Sequence, residues 1–192
     1  LKAGGMNRRQ AGEDFYLIQK LISQRSYFEL NSTAVHPSPR ASARVPFGTG
    51  VVVARMLEGS MDELMTYNPE AFRELRVLFR IAGDVFGADE DRTAGSYLEL
   101  PDGLKAFIPG DQWLARISEI RGNTSSPASF LKRFFGWFGM LMIIKYLNQA
   151  HSERLEKKAV TMAAAELLEI KGMHAGRQDV FLLLEIYRGL EG

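Results

Sequence analysis

The chain has no cysteine. That excludes disulfides, thiolate nucleophiles and thiolate metal sites, and it removes the usual sign of a redox compartment. Histidine is scarce: His36, His151 and His174 are the only three, and no two stand at the spacing of a zinc-binding helix. No metal site and no cofactor is expected. A long apolar run is missing too. The richest stretch, residues 134–144, lasts eleven residues between Arg133 and Lys145, whereas a membrane-spanning helix needs about 20. No transmembrane insertion is therefore expected. The opening "LKAGGMNRRQAGEDF" has no apolar signal-peptide core, which points to a cytoplasmic or intravirion location. Residues 1–12 read as a flexible terminus or an appended remnant, with Met6 as one candidate natural start.

Charge of one sign is lacking in two senses. Over the whole chain, 24 basic and 23 acidic residues leave a net +1, too little to draw the molecule to a polyanion as a body. Between Leu30 and Leu57 acids are absent altogether, while His36, Arg40, Arg44 and Arg55 are present. A stretch of one sign is a common way to hold a phosphate backbone, although a sparse one also serves as a soluble linker. Signatures of catalysis are absent as well. "FGTG" at 47–50 is too short for a phosphate loop and lacks the Lys-Ser/Thr that would follow. Ser60 lies in "EGSMD", not in a hydrolase elbow. "DEDRTAGSYLE" places Ala94 where a calcium loop needs glycine and Leu100 where it needs glutamate. It reads as a solvated loop.

What is present is a chain of 192 residues, 46% of them hydrophobic, enough for one self-sufficient core or a core plus an arm. Phe15, Ile18, Leu21, Ile22 and Phe28 recur at helical spacing over residues 13–30. Pro37, Pro39 and Pro46 forbid helix in 31–48, which reads as an extended arm. The β-branched "VVVAR" at 51–55 suggests either a short strand or the start of the next helix. Ser60 with Glu63 forms a capping box, and Asn68 before Pro69 opens a further helix carrying Phe72, Leu75, Leu78, Phe79, Ala82 and Phe86. "SYLELPDGLKAFI" alternates around Pro-Asp-Gly and predicts a β-hairpin over about 96–108. Asp111 is expected to cap a helix burying Trp113, Ile117 and Ile120. Ser126 and Pro127 begin the longest helix, which lacks Gly and Pro from Met140 to Lys171 and is expected to bend near 148–152 or to project outward. A last helix spans 177–188. The expected fold is a mainly α multi-helix domain over 49–192, preceded by a helix and arm over 13–48.

Two sets of candidate site residues follow. Arg73, Arg76 and Arg80 recur at intervals of three and four on one helix face. With Arg40, Arg44 and Arg55 of the arm, and with Lys132 and Arg133, they form a candidate polyanion-binding set. Glu70 and Asp84 lie within reach of this row, so an ordinary ion-paired surface is the competing reading. The second set, Phe134, Phe135, Trp137, Phe138, Phe181 and Leu184, belongs to two apolar helices that one copy is expected to cover incompletely. A homo-oligomer is the expected outcome. These features favour a non-enzymatic, self-associating structural protein that contacts nucleic acid, as nucleocapsid or coat subunits do. The alternatives are a protein-interaction adaptor or scaffold, and an enzyme without a recognisable motif that uses Asp84 or Asp111 with His151 or His174.

Overall fold

A computed structural model describes residues 13–23, 33, 49–59, 64–173 and 179–190. The chain divides into a first unit, Leu1–Asp62, and a second, Glu63–Gly192. Except for Thr33, the expected arm over 31–48 lies outside the described residues, as does the Ser60 capping box. In the first unit, α1 (Glu13–Ser23) carries Phe15 against Tyr16 at 5.5 Å between ring centroids. The valine run enters a helix and not a strand: α2 spans Thr49–Leu57. β propensity expresses itself only where a neighbouring strand is offered, and no strand is found among the described residues of this unit. Gly59, at φ 63°, closes the turn that follows.

The second unit is mainly helical with one two-stranded antiparallel pair. Its first helix, α3 (Pro69–Asp84), starts as the sequence predicts: the Asn68 side chain accepts from the Glu70 N–H at 3.0 Å. Ala71, Leu75, Leu78, Ile81 and Ala82 are buried along one side, whereas Phe72 stays 44% exposed. The predicted hairpin over 96–108 is overturned. That segment holds the end of α4 (Glu90–Leu98) and all of α5 (Asp102–Phe107). Asp89, assigned to a solvated loop, caps α4 by accepting from the Arg92 N–H at 2.8 Å. Burial at Thr93, Ser96, Leu100, Leu104 and Ile108 repeats every three or four residues and not every two, the spacing of helical backbone and not of a strand.

α6 (Gly110–Gly122) buries Trp113, Ile117 and Ile120, although Asp111 sits within its first turn and does not cap it. The expected long helix is broken into three. α7 (Pro127–Trp137) opens with a Ser126–Ser129 capping box. Phe138 (φ −92°, ψ 59°) and Gly139 then reset the direction, and α8 runs from Met140 to Glu153. A Cβ on Gly139 would sit 2.8 Å from the Phe135 carbonyl oxygen, so only glycine fits this corner without a shift. After α8, β2 (Lys158–Ala159) pairs with β1 (Met65–Thr66), setting Met65 beside Ala159. α9 (Val160–Ile170) ends on Gly172 at φ 76°, with the Met173 N–H bonded to the Leu168 carbonyl at 2.9 Å. The Asp179 side chain accepts from the N–H groups of Phe181 and Leu182, both at 3.0 Å, and so opens α10 (Val180–Leu190).

One core joins α3 through α8, centred on Leu78, Leu104, Trp113, Phe130, Phe134, Phe138 and Tyr146. A smaller cluster of Ala165, Leu168 and Leu183 ties α9 to α10. No described helix is long and apolar enough to cross a membrane.

A candidate polyanion interface on α3, α6 and α7

Ring contacts orient α3 against α7. Phe79 meets Phe135 at 5.4 Å, and Phe86 meets Phe130 at 5.8 Å. The higher α3 number pairs with the lower α7 number, so the two helices run antiparallel. With Leu78 and Phe134 facing the core, the 3.6-residue period turns Arg73, Arg76 and Arg80 to the outside of α3 and Lys132 to the outside of α7. All four are exposed.

Their surroundings differ. Arg73 is ion-paired with Glu70 at 2.7 Å, with about half of each side chain in solvent, an arrangement of little energetic value. Among the described residues, no acid lies within 4.0 Å of Arg76, Arg80, Lys132 or Arg133. Arg73, Arg76, Val77 and Arg80 line a shallow cleft of about 420 Å³. On the other side of α7, a groove of about 510 Å³ runs against α6, lined by Lys132, Arg133, Gly136 and Trp137 and by Arg116 and Asn123. Arg116 is held by Glu119 at 2.6 Å.

The structure therefore brings Arg73, Arg76, Arg80, Lys132 and Arg133 onto neighbouring helices of one unit. Arg55 lies in the last turn of α2, in the other unit, and is itself engaged. Arg40 and Arg44 lie outside the described residues. Two members of the apolar set are corrected: Phe134 and Phe138 are fully buried in the chain's own core and offer nothing to a second copy. Phe135 at 43%, Phe181 at 80% and Leu184 at 47% remain exposed. Trp137 is half-buried and lines the groove. Arg116 and Asn123 escape a reading of α7 alone, because they arrive from α6.

The buried polar groups are internally matched. Glu74 accepts a hydrogen bond from the Tyr146 hydroxyl and another from Arg154 Nη2 at 2.5 Å. Burial, and then the Glu74 carboxylate, push the Tyr146 phenol well above its ordinary range. Burial works against the Arg154 charge, but Glu74 outweighs it and holds the guanidinium above its usual value. The network joins α3 to α8 inside the fold. It was legible in part, since Glu74 falls at helical spacing between Ala71 and Leu78. Both nitrogens of His151 are occupied: Nε2 accepts from the Asn68 N–H at 2.7 Å, and Nδ1 meets the Leu147 carbonyl at 2.6 Å. Asp84 lines a pocket with Arg92 and Glu99 to which His151 does not contribute. Among the described residues, no group of three or more His, Asp or Glu side chains is placed to hold a metal ion. No family model, no curated protein and no solved structure matches the chain.

Proposed function

We propose that the chain is a non-enzymatic, self-associating helical protein that contacts nucleic acid through the outer face of α3 and α7. One observation carries this reading. Arg76, Arg80, Lys132 and Arg133 are exposed on adjoining helices with no acid within 4.0 Å among the described residues, and Phe135 and Trp137 lie on the same helix as the last two. Arg73 of the same row is neutralised by an acid, Glu70. Four left without one form a local positive field despite the chain's near-neutral total. Guanidinium groups at this spacing suit repeated phosphates. The contact is independent of base sequence, and it places the protein where nucleic acid is held, in the cytoplasm or inside a virion.

The assembly half rests on α10. Its outward residues Val180, Phe181 and Leu184 are 47%, 80% and 47% exposed. Glu185 and Arg188 flank this stripe one turn apart, both exposed. A two-fold-related copy lying antiparallel would cover the stripe and set each charge against its counterpart. The occupant in this reading is thus a second copy of the chain.

Fluorescence anisotropy with a labelled generic oligonucleotide tests the first half. Four phosphate contacts imply that affinity falls about a hundredfold between about 50 and about 200 mM salt. Reversal of Arg76, Arg80 and Lys132 to glutamate abolishes binding and leaves the thermal melt in place. Absence of retention on single or double strands at low salt removes the nucleic-acid half. Full tolerance of the reversals favours the adaptor reading. Light scattering tests the second half: a mass above one copy is expected, reduced to one by Phe181→Glu with Leu184→Glu.

A further inference from the structure

We infer that the α6–α7 groove is a slot for an unpaired nucleobase, so that the ligand of this face is single-stranded nucleic acid and not duplex. The inference rests on the nucleic-acid reading above and adds to it a substrate class.

Gly136 is the first argument. A glycine inside a helix is disfavoured, and packing usually explains its presence. Here a Cβ would meet nothing within 4 Å, so the chain's own core does not ask for it. The contrast is Gly139, three residues on, where a Cβ collides with backbone. The missing side chain at Gly136 does one visible thing: it leaves the groove wall low beside Trp137.

Trp137 is the second. Its indole packs edge-on against Phe134 at 5.6 Å and tilted against the buried Trp113 at 6.4 Å. These contacts hold the ring in place before any ligand arrives, and its remaining surface lines the groove. A fixed aromatic surface is what a base needs for stacking, and stacking tolerates any base sequence because every base has a π-face.

The polar groups complete the slot. The one acid of the groove, Glu119, is paired with Arg116. Among the described residues Lys132 and Arg133 have no acid within 4.0 Å and line the groove in position for the flanking phosphates. Asn123 Nδ2 donates to the Glu119 carbonyl at 2.8 Å, which leaves its side-chain oxygen as an acceptor for a base amino group. A duplex keeps its bases stacked inside, so it touches the rim cations and gains nothing from the recess. An acidic peptide would use the cations and not the indole. A lipid surface would require protruding apolar groups where this site is concave.

The test compares labelled single strands of DNA and of RNA with a duplex of equal length, by anisotropy at low salt. Single strands of both kinds are expected to bind at least about tenfold tighter than duplex. Gly136→Leu fills the recess from a position whose Cβ meets nothing of the core, and it keeps every cation of the sequence. It should erase that preference by lowering single-strand affinity to the duplex level. Trp113 is fully buried, so quenching of tryptophan emission by added single strand reports on Trp137, and duplex should not produce it. Equal affinity for both forms in the unaltered protein, survival of the preference in Gly136→Leu, or absence of quenching overturns the slot while leaving phosphate binding intact. Failure of the unaltered protein to bind either form instead removes the nucleic-acid reading on which the slot depends.

Discussion

Two apolar regions of the second unit end differently. Across α3–α8, Trp113, Phe130, Phe134 and Phe138 are fully enclosed and meet one another ring to ring. Across α9–α10 the enclosed residues are Ala163, Ala165, Leu168 and Leu183, and Phe181 stands 80% exposed. The helices of the second region are the more apolar. Six helices surround the first, so each α7 residue at the core-facing period finds a partner. In the second, α9 also meets α3 and the strand pair, whereas α10 packs mainly on α9 and leaves Val180, Phe181 and Leu184 outside. An apolar run in sequence thus measures how much surface needs covering, while the number of neighbouring elements decides whether the chain itself supplies the cover.

Substitutions at matched aromatic positions separate the two regions most sharply. Phe134→Ala should cost about 3–5 kcal/mol in urea unfolding. Phe181→Ala should change stability by less than about 0.5 kcal/mol, as exposed positions do, while lowering the mass seen by light scattering. Equal losses would erase the distinction. Next in size is the polar seam of the enclosed region. Glu74→Ala leaves the buried Tyr146 hydroxyl without its acceptor and should cost about 2 kcal/mol, with Arg154 adding little because its side chain is 39% exposed and reaches water.

The same seam sets an alkaline limit. The Tyr146 phenol is raised in the folded state by burial and Glu74, so the unfolded chain releases that proton first. Its contribution is complete below the ordinary phenol value of about 10 and is lost as pH rises beyond it. Thermal melts should therefore fall above about pH 10, with a shallower fall in Tyr146→Phe. The slope does not vanish in that variant, because burial also raises Tyr187. The smallest effects come from two glycines of the enclosed region. Gly139→Ala should destabilise by about 1 kcal/mol or more, whereas Gly136→Ala should stabilise by up to about 1 kcal/mol through helix propensity. Circular-dichroism melts that moved both in the same direction would show that the two positions are alike.

Much of the enclosed region was legible. Asn68–Pro69 and Ser126–Pro127 mark helix starts through backbone chemistry that acts within four residues, and Trp113, Ile117 and Ile120 mark a face by period. The failures came where distant contacts decide. Residues 96–108 alternate as a strand does, yet Leu100, Leu104 and Ile108 are claimed by the core, and the segment folds into the end of α4 and the short α5. Val51–Val53 would favour a strand had another strand been adjacent. The arginine row of α3 could be seen from its spacing. The groove could not, because part of its lining comes from α6 and its C-cap, and no local pattern on α7 announces Arg116 or Asn123.

The β1–β2 ladder, though only two residues per strand, determines how the second unit could be locked. The Val160 N–H bonds to the Leu64 carbonyl at 2.8 Å, which makes Leu64 and Val160 a hydrogen-bonded pair and Met65 and Ala159 the closer, non-bonded pair. Facing residues of that kind have a separation compatible with a disulfide. Since the chain has no cysteine, Met65→Cys with Ala159→Cys would create a single bridge with no competing thiol. Closing a loop that contains all of α3–α8 would, by chain entropy, add about 4–5 kcal/mol under oxidising conditions. A reductant would then switch the whole helical core between a stapled and an unstapled form.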